Sequence, residues 1–265
     1  MILTRKVTFS VLLCIFAVLQ FACRRDRDDA ADTDTSLAQQ YSSIEQSSNE
    51  LNNLIVEVVD KDTVTSLKTE GTLTPSVLYS KTIKGDTLIV QLDFGNSNTL
   101  SLDQKLRRGR IIIRVLKNKM WASAETQDYF LNDISIKGTR TFVRSSLFEA
   151  DIESSTTITF SDGSTVSETA SREIVLTEGM YTQDDLNDDV FSMTGSATGK
   201  NKNGVFAVEI TSPLKIARSC ANIISGAIQI VPEKKLPRNI DFGNGDCDNL
   251  VTLSIGKYSK IIALK

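Results

Sequence analysis

Most of this chain alternates apolar and polar side chains with a period of two residues, and this alternation constrains the fold more than any other feature of the sequence. Such a pattern is typical of β-strands that bury one face and leave the other in solvent. It begins near Val64, and short turn sequences interrupt it, among them Gly85-Asp86, Ser161-Asp162-Gly163 and Asn203-Gly204. Because turns of this length join neighbouring antiparallel strands, the sequence predicts an antiparallel sheet that is mostly a meander.

About a dozen segments with this alternation are predicted to be strands. They cover residues 77–84, 87–94, 110–116, 129–143, 148–160, 164–176, 190–198, 204–211, 223–231, 238–242, 250–255 and 259–264. Segment 129–143 is long enough for one extended strand or for two strands joined by a bulge at Gly138. No second helix is strong enough for a crossover, and many strand positions on both faces are polar. We therefore expect a mainly β fold with one long, curved sheet; a β-sandwich or a barrel is the alternative.

The exception to the two-residue period is segment 36–58, where apolar residues recur mostly at steps of three and four. These residues are Leu37, Tyr41, Ile44, Leu51, Leu54, Ile55 and Val58. The spacing predicts an amphipathic helix whose start is capped by Asp34, Thr35 or Ser36. We expect its apolar stripe to pack on the sheet. A helix lying on a membrane surface is the weaker interpretation, because the polar face carries Ser, Gln, Asn and Glu but no Lys.

The chain contains no histidine, which excludes Ser-His-Asp and Cys-His catalysis and histidine-ligated metal sites. The formal net charge of −3 offers no basic surplus for nucleic acid. The acidic segment 184–189 lacks the spacing of a calcium-binding loop, so we interpret it as a solvated connection between strands. We expect no metal, no cofactor and no enzymatic activity. A hydrolase with two facing carboxylates is the least favoured alternative, and it stays open because such a pair is assembled only in the folded chain.

The N-terminal residues have the pattern of a secretion signal. Arg5 and Lys6 precede an apolar run, residues 7–21, that is too short to span a membrane comfortably but suits the core of a signal peptide. We therefore predict that residues 1–22 are removed. A buried N-terminal helix is the alternative.

The residues around the predicted cleavage site resemble the lipobox of bacterial lipoproteins. Ala22 stands before Cys23, although Gln20 occupies a position where that family usually has Leu. The resemblance implies that Cys23 is acylated and becomes the new N-terminus; an ordinary secretory signal is the alternative. Residues 23–35 are charged and lack large apolar side chains, which predicts a flexible acidic tether. Their acidic run also resembles the signal that sends lipoproteins of the Bacteroidetes to the outer face of the outer membrane.

Two cysteines remain for the folded part of the chain, because Cys14 lies in the signal and Cys23 carries the lipid. Cys220 and Cys247 would form one disulfide in an oxidising compartment. Two buried free thiols are the alternative.

A four-residue motif occurs twice, as Asp93-Phe94-Gly95-Asn96 and Asp241-Phe242-Gly243-Asn244. Gly95 and Gly243 suit a left-handed turn position, and each aspartate can accept a hydrogen bond from the backbone beyond it. The motif is not the Asp-Phe-Gly motif of protein kinases, since the glycine-rich loop and the catalytic-loop motif are missing. We interpret both copies as structural turns.

Most of the mature chain resembles a group of uncharacterised Bacteroidetes lipoproteins, and the resemblance is most specific at the C-terminus. The matching residues are Cys220, Ser225, Gly226, Ile228, Ile230, Asp241, Phe242, Gly243, Asn244, Gly245, Cys247, Asp248, Asn249 and Gly256. In the first copy of the motif, Asn96-Ser97-Asn98 replaces the loop cysteine of that group, so any first-loop disulfide of these relatives is absent or altered here. The resemblance implies a fold and a location but no activity.

Together these features predict three regions: a signal peptide (1–22), an acylated tether (23–35) and one β-rich domain (36–265). We expect an outer-membrane lipoprotein, facing the cell surface or the periplasm, that contacts the membrane through its lipid. Its expected role is a non-enzymatic binding or scaffold module for a cell-envelope protein or glycan. The alternative is a periplasmic carrier of a lipid or another apolar ligand, held on the concave side of the sheet.

Overall fold

The computed structural model describes residues 32–60, 77–102, 104–182 and 185–264. This part of the chain contains one α-helix, α1 (Ser36–Asp60), and fourteen strands. The strands are β1 (Leu78–Lys84), β2 (Thr87–Asp93), β3 (Thr99–Leu100), β4 (Leu106–Leu116), β5 (Trp121–Leu131), β6 (Ile134–Arg144), β7 (Glu149–Thr159), β8 (Thr165–Glu178), β9 (Val190–Asn201), β10 (Gly204–Ala217), β11 (Ile223–Pro232), β12 (Arg238–Asn244), β13 (Leu250–Ile255) and β14 (Tyr258–Ala263). A single 3₁₀ turn, Leu186–Asp188, lies between β8 and β9.

All strands belong to one antiparallel sheet, in which each strand pairs with its neighbours along the chain. The short β3 lies off this path and pairs only with β4. Strands β1 and β14 form the two edges and do not pair with each other within the described residues, so the sheet is not closed into a barrel. The predicted mainly β fold, with a long meander and one N-terminal helix packed on it, is confirmed.

The prediction for segment 129–143 is wrong. Two strands, β5 and β6, meet near the start of this segment at a tight turn formed by Asn132 and Asp133, which have positive φ angles of 48° and 66°. Asparagine and aspartate tolerate this conformation better than other non-glycine residues. The strand β5 was not predicted, because its inward positions are held by small residues such as Ala122 and Ala124, which weaken the alternation.

Gly138 does not form the predicted bulge. It pairs regularly with Thr156, and a side chain there would stand 2.3 Å from the carbonyl oxygen of Ser155. The extra residue lies instead on β5, between Glu125 and Tyr129. Gly138 therefore allows close approach of two strands, which is the other common reason for a glycine within a strand.

The buried face of the sheet and the apolar stripe of α1 form one core. Strand β7 shows the alternation clearly, because every second residue from Ala150 to Ile158 is buried. All seven residues of the predicted stripe are buried. In the described part of the chain, no helix is both long and apolar enough to cross a membrane.

Most of the polar face of α1 is also buried, which the helical spacing alone does not predict. The buried polar residues of the helix are Ser42, Glu45, Ser47, Ser48, Asn49, Glu50 and Asn52. Their partners lie on strands far apart in the sheet, from Arg107 on β4 to Arg172 on β8. The sheet therefore curves around the helix, which runs inside its concave side.

The start of α1 is fixed to the β11–β12 connection. Asp34 accepts a hydrogen bond from the backbone nitrogen of Ser36 at 3.0 Å and forms an ion pair with Lys235 at 2.5 Å. The hydrogen bond from Lys235 is the main reason why the pKa of Asp34 lies well below its ordinary value, and Ser36 adds to the effect. This aspartate caps the helix and ties its first turn to the last third of the chain.

Glu50 and Arg107 form the most buried ion pair between the helix and the sheet. The guanidinium of Arg107 is fully buried and donates two hydrogen bonds to Glu50 Oε1, at 2.5 and 3.0 Å. Lys105 reaches the other carboxylate oxygen at 2.9 Å. Removing one member of such a pair leaves a buried charge without compensation, which strongly destabilises a fold.

We expect Arg107→Met to lower the free energy of unfolding by about 3–5 kcal/mol, because it leaves the buried carboxylate of Glu50 with only Lys105 and a long hydrogen bond from Tyr129 at 3.4 Å. The matched control is Arg114→Met on the same strand, whose half-exposed ion pair with Glu125 spans 3.5 Å. We expect that control to cost less than about 1 kcal/mol. Urea unfolding followed by the fluorescence of Trp121 measures both values. Equal losses in the two variants would contradict the structural role of the buried pair.

Candidate functional site

Of the residues predicted as sites, the two cysteines of the possible disulfide and both copies of the turn motif lie in the described part of the chain. Cys23, the predicted lipid attachment residue, lies outside the described residues. Cys220 and Cys247 form a disulfide with a Cα–Cα distance of 5.7 Å. It links the loop after β10 to the loop after β12, and it holds together the polar connections at this end of the C-terminal strands.

The two copies of the repeated motif form the same local structure. The Oδ1 atoms of Asp93 and Asp241 accept hydrogen bonds from the backbone nitrogens of Gly95 and Gly243, both at 2.9 Å. The two glycines have φ angles of 83° and 90°. In the first copy, Arg110 also contacts Asp93 at 2.7 Å, and this hydrogen bond is the main reason why the pKa of Asp93 lies below its ordinary value. These contacts explain why both copies of the motif form turns.

Acidic side chains before β9 also form contacts that stabilise the local structure. Asp185 accepts a hydrogen bond from the backbone of Asn187 and caps the 3₁₀ turn, and buried Asp189 lies 3.6 Å from Arg218. The predicted candidate Asp184 lies outside the described residues. Among the residues that the structure describes, no three cysteine or acidic side chains are grouped so that they could hold one metal ion.

A second charged cluster lies beneath the N-terminal half of α1. Arg172 donates to Glu45 at 2.7 Å and to the hydroxyl of Tyr41 at 2.8 Å, and that hydroxyl donates to Glu45 at 2.7 Å. Arg140 donates to the carbonyl oxygen of Ser48 and to Asn52. Glu168 completes the cluster on β8. These contacts set the position of the helix along the sheet.

Burial shifts the pKa values of two members of this cluster. Burial is the main cause that raises the pKa of Glu168 to about 7, the charge of Glu45 raises it further, and Arg172 and Arg140 act in the opposite direction. Burial lowers the pKa of Arg140 to about 10. The Oε2 atom of Glu168 has no hydrogen-bond partner among the described residues. Glu45 and Glu168 bring two carboxylates into this cluster, and both side chains are buried.

An apolar pocket lies at the other end of the helix, and we refer to it as the end pocket. Its volume is about 360 Å³, which falls in the range of small-molecule sites. The C-terminal turns of α1 form one wall, and the adjoining ends of β5 to β9 with their loops form the others. The main apolar lining residues are Ile55, Phe142, Phe148, Ile174, Leu176 and Phe191.

The rim of the end pocket combines apolar and cationic side chains. Leu147 lines the pocket and is 72% exposed, and Tyr181, which follows the lining residue Met180, is 95% exposed. Lys119 and Arg144 are half-buried in the lining, and both also have partners within the chain. Another depression, of about 610 Å³, is a groove along β7 to β11 that is more open to solvent than the end pocket, and its lining mixes serine and threonine with apolar side chains such as Phe206 and charged ones such as Lys200. The end pocket is therefore the better candidate for a ligand.

We expect the raised pKa of Glu168 to make its effect on stability depend on pH. Its contribution is fully present below the unfolded-state pKa of about 4.5 and is lost as the pH rises through about 7. Glu168→Gln removes this loss. The difference in free energy of unfolding between the variant and the parent should therefore change by about 3 kcal/mol in favour of the variant when the pH rises from 4.5 to 8. Urea unfolding at both pH values measures the change. The exposed Glu173→Gln on the same strand is the control, and an equal response in both variants would overturn the assignment.

The end pocket could not be found from sequence, because its lining residues come from segments that extend from Ile55 to Phe191. The exposed apolar residues at two loop tips, Leu147 and Tyr181, were the available signal. No protein-family model, curated protein or solved structure matches the chain. The candidate site is therefore identified from its geometry alone.

Proposed function

We propose that this chain is a lipid-anchored protein of the cell envelope that binds an apolar small molecule in the end pocket and carries out no reaction on it. The end pocket is the observation that supports this function most directly. Its walls are phenylalanine and aliphatic side chains, several of which are only half-buried although they belong to the strands of the core. Apolar side chains that converge on a concave space are typical of small-molecule sites.

The rigidity of the surrounding body supports the same function. Ion pairs buried under α1 fix the helix to β4 and β8, and the C-terminal turns of that helix form a wall of the end pocket. A wall held in this way is arranged before a ligand arrives, which reduces the free energy lost on binding. The charged groups of these pairs already bind each other, so they support packing rather than catalysis.

The anchor in this proposal is Cys23, with the outer membrane as the location, as the lipobox resemblance implies. The tether would join α1 at its first turn, whereas Ile55 of the end pocket lies about 28 Å further along the helix axis. In this arrangement the opening of the end pocket lies away from the attachment point of the tether. The resemblance to Bacteroidetes lipoproteins supports this location, and it adds no ligand.

Acylation should depend on Cys23 alone. We expect the full chain to incorporate a clickable palmitate analogue in a bacterial host and the Cys23→Ala variant to lose the label. Cys14→Ala is the matched control, because this cysteine lies in the predicted signal and should be dispensable. A labelled Cys23→Ala variant would rule out the proposed anchor. Protease treatment of intact cells then shows whether the anchored domain faces outward or the periplasm.

Ligand binding should depend on the open volume of the end pocket. The chain from Thr33 to Lys265 forms a compact unit of its own and is the part used in this experiment. We expect it to bind N-phenyl-1-naphthylamine, a neutral apolar fluorophore, in a saturable manner. Ala150 is buried in the pocket lining, so Ala150→Trp should weaken binding at least about tenfold by filling the space. Circular dichroism checks that this variant is folded.

The matched control for this experiment is Ala263→Trp, which adds the same side chain at an exposed position on the edge strand β14. It should bind the fluorophore as the parent does. Absence of saturable binding to the parent would contradict the proposed function. Unchanged binding to a folded Ala150→Trp would place the ligand elsewhere.

A further inference from the structure

We infer that the end pocket takes an uncharged ligand built on fused rings, and that it excludes ionised amphiphiles of either sign. This inference rests on the proposed function and specifies the chemical class of its ligand. Two observations support it. The described lining residues offer no surplus charge to a ligand, and three phenylalanine rings from separate elements line the same space.

The charged residues of the lining balance one another. The described part of the lining holds two cations, Lys119 and Arg144, and two carboxylates, Glu149 and Asp189. Both cations already have partners within the chain. Asp189 is buried and lies 3.6 Å from Arg218, a pairing that compensates its charge. These residues therefore offer no surplus charge of either sign to a ligand.

An ionised head group would lose part of its hydration at this opening without gaining an opposite charge. Moving a charge out of water costs far more free energy than moving a hydroxyl group, unless a partner compensates it. Because the main lining side chains are apolar, the free energy of binding comes from the apolar body of the ligand. An uncharged ligand should therefore bind more tightly than an anion or a cation with the same apolar body.

Aromatic rings reach the end pocket from three elements. Phe142 belongs to β6 and is buried, Phe148 precedes β7, and Phe191 belongs to β9 and is half-buried. Met180 adds a thioether from the β8–β9 loop. Aromatic rings in offset or edge contact stabilise each other beyond the apolar area that they bury, and a thioether also makes favourable contacts with a ring edge. These side chains favour an aromatic ring system over an aliphatic body of similar size.

The volume of the end pocket limits the size of this ring system. About 360 Å³ lies near the lower end of the range for small-molecule sites and leaves room for about two or three fused rings with a short substituent. A fused ring system has few rotatable bonds, so it loses less conformational freedom on binding than an alkyl chain does. The helix wall is already held by buried ion pairs, so a rigid ligand meets a wall that is arranged before it binds.

The first test compares three ligands with the same rings and different charges. 1-Naphthalenemethanol, 1-naphthoate and 1-naphthylmethylammonium compete with N-phenyl-1-naphthylamine on the chain from Thr33 to Lys265. We expect the alcohol to bind at least about tenfold more tightly than either ion. The affinity for 1-naphthoate should not rise when the salt concentration is lowered, because the described lining offers no surplus positive charge. An ion that binds as tightly as the alcohol, or 1-naphthoate binding that strengthens at low salt, would overturn the uncharged ligand but keep an apolar ligand site.

The second test measures the contribution of the phenylalanine rings. It compares 1-naphthalenemethanol with decahydro-1-naphthalenemethanol, which has the same carbon skeleton but no aromatic ring. We expect Phe191→Leu to weaken binding of the aromatic alcohol about fivefold and to change binding of the hydrogenated alcohol less than about twofold. Phe130→Leu is the matched control, because the Phe130 ring lies 3.6 Å from the guanidinium carbon of Arg108 and is not part of the described lining. It should change neither value.

The outcomes separate this inference from the proposed function. Equal losses for both alcohols in Phe191→Leu would overturn the ring preference, since the side chain would then act through its volume alone. Phe148→Leu, at a position that is 37% exposed, gives the same comparison if Phe191→Leu does not fold. If the fluorophore binds in a saturable manner and no naphthalene compound displaces it, the inference is overturned and the apolar site remains. If the fluorophore itself does not bind, the proposed function fails as well.

Discussion

The rest of the structure depends on the ion pairs that carboxylates of α1 form with arginines of the sheet, in the space between the helix and the sheet. Glu45 binds Arg172 and Glu50 binds Arg107, and all four side chains are buried. Buried ion pairs of this kind add little net stability compared with a well-packed apolar core, but they have strict geometric requirements. Here they allow only one position of the helix along the sheet. The location of the end pocket follows from that position, because Ile55 of the same helix forms part of its wall.

Much of the fold could be predicted because it is determined by local patterns. Alternation with a period of two specifies strands, short polar turns specify antiparallel neighbours, and the same rules hold from β6 to β14. They failed at β5, where small residues and the non-glycine turn at Asn132 and Asp133 gave a weak signal. The turn motifs around Gly95 and Gly243 were predictable for the same local reason.

The surroundings of the helix and the end pocket could not be predicted, because both depend on residues distant in the chain. A polar helix face has the same spacing whether it meets water or arginines. A clue was present in the strands: Arg140 and Arg172 occupy positions where the alternation requires an inward side chain, and inward arginines need buried acidic or carbonyl partners. No such pattern in the sequence indicated the end pocket, because five strands and the helix contribute residues to its lining.

The position of α1 inside the curved sheet has a consequence for the order of folding. The helix comes first among the described elements, yet Asp34 beside its first turn binds Lys235, a residue 201 positions later. Contacts across such separations form slowly, because a long loop must close before they contribute. Glu50 can pair with Arg107 once β4 is in place and Glu45 with Arg172 once β8 is, but the first turn of the helix has to wait for the β11–β12 connection. The chain is therefore most exposed to aggregation while the sheet is still incomplete.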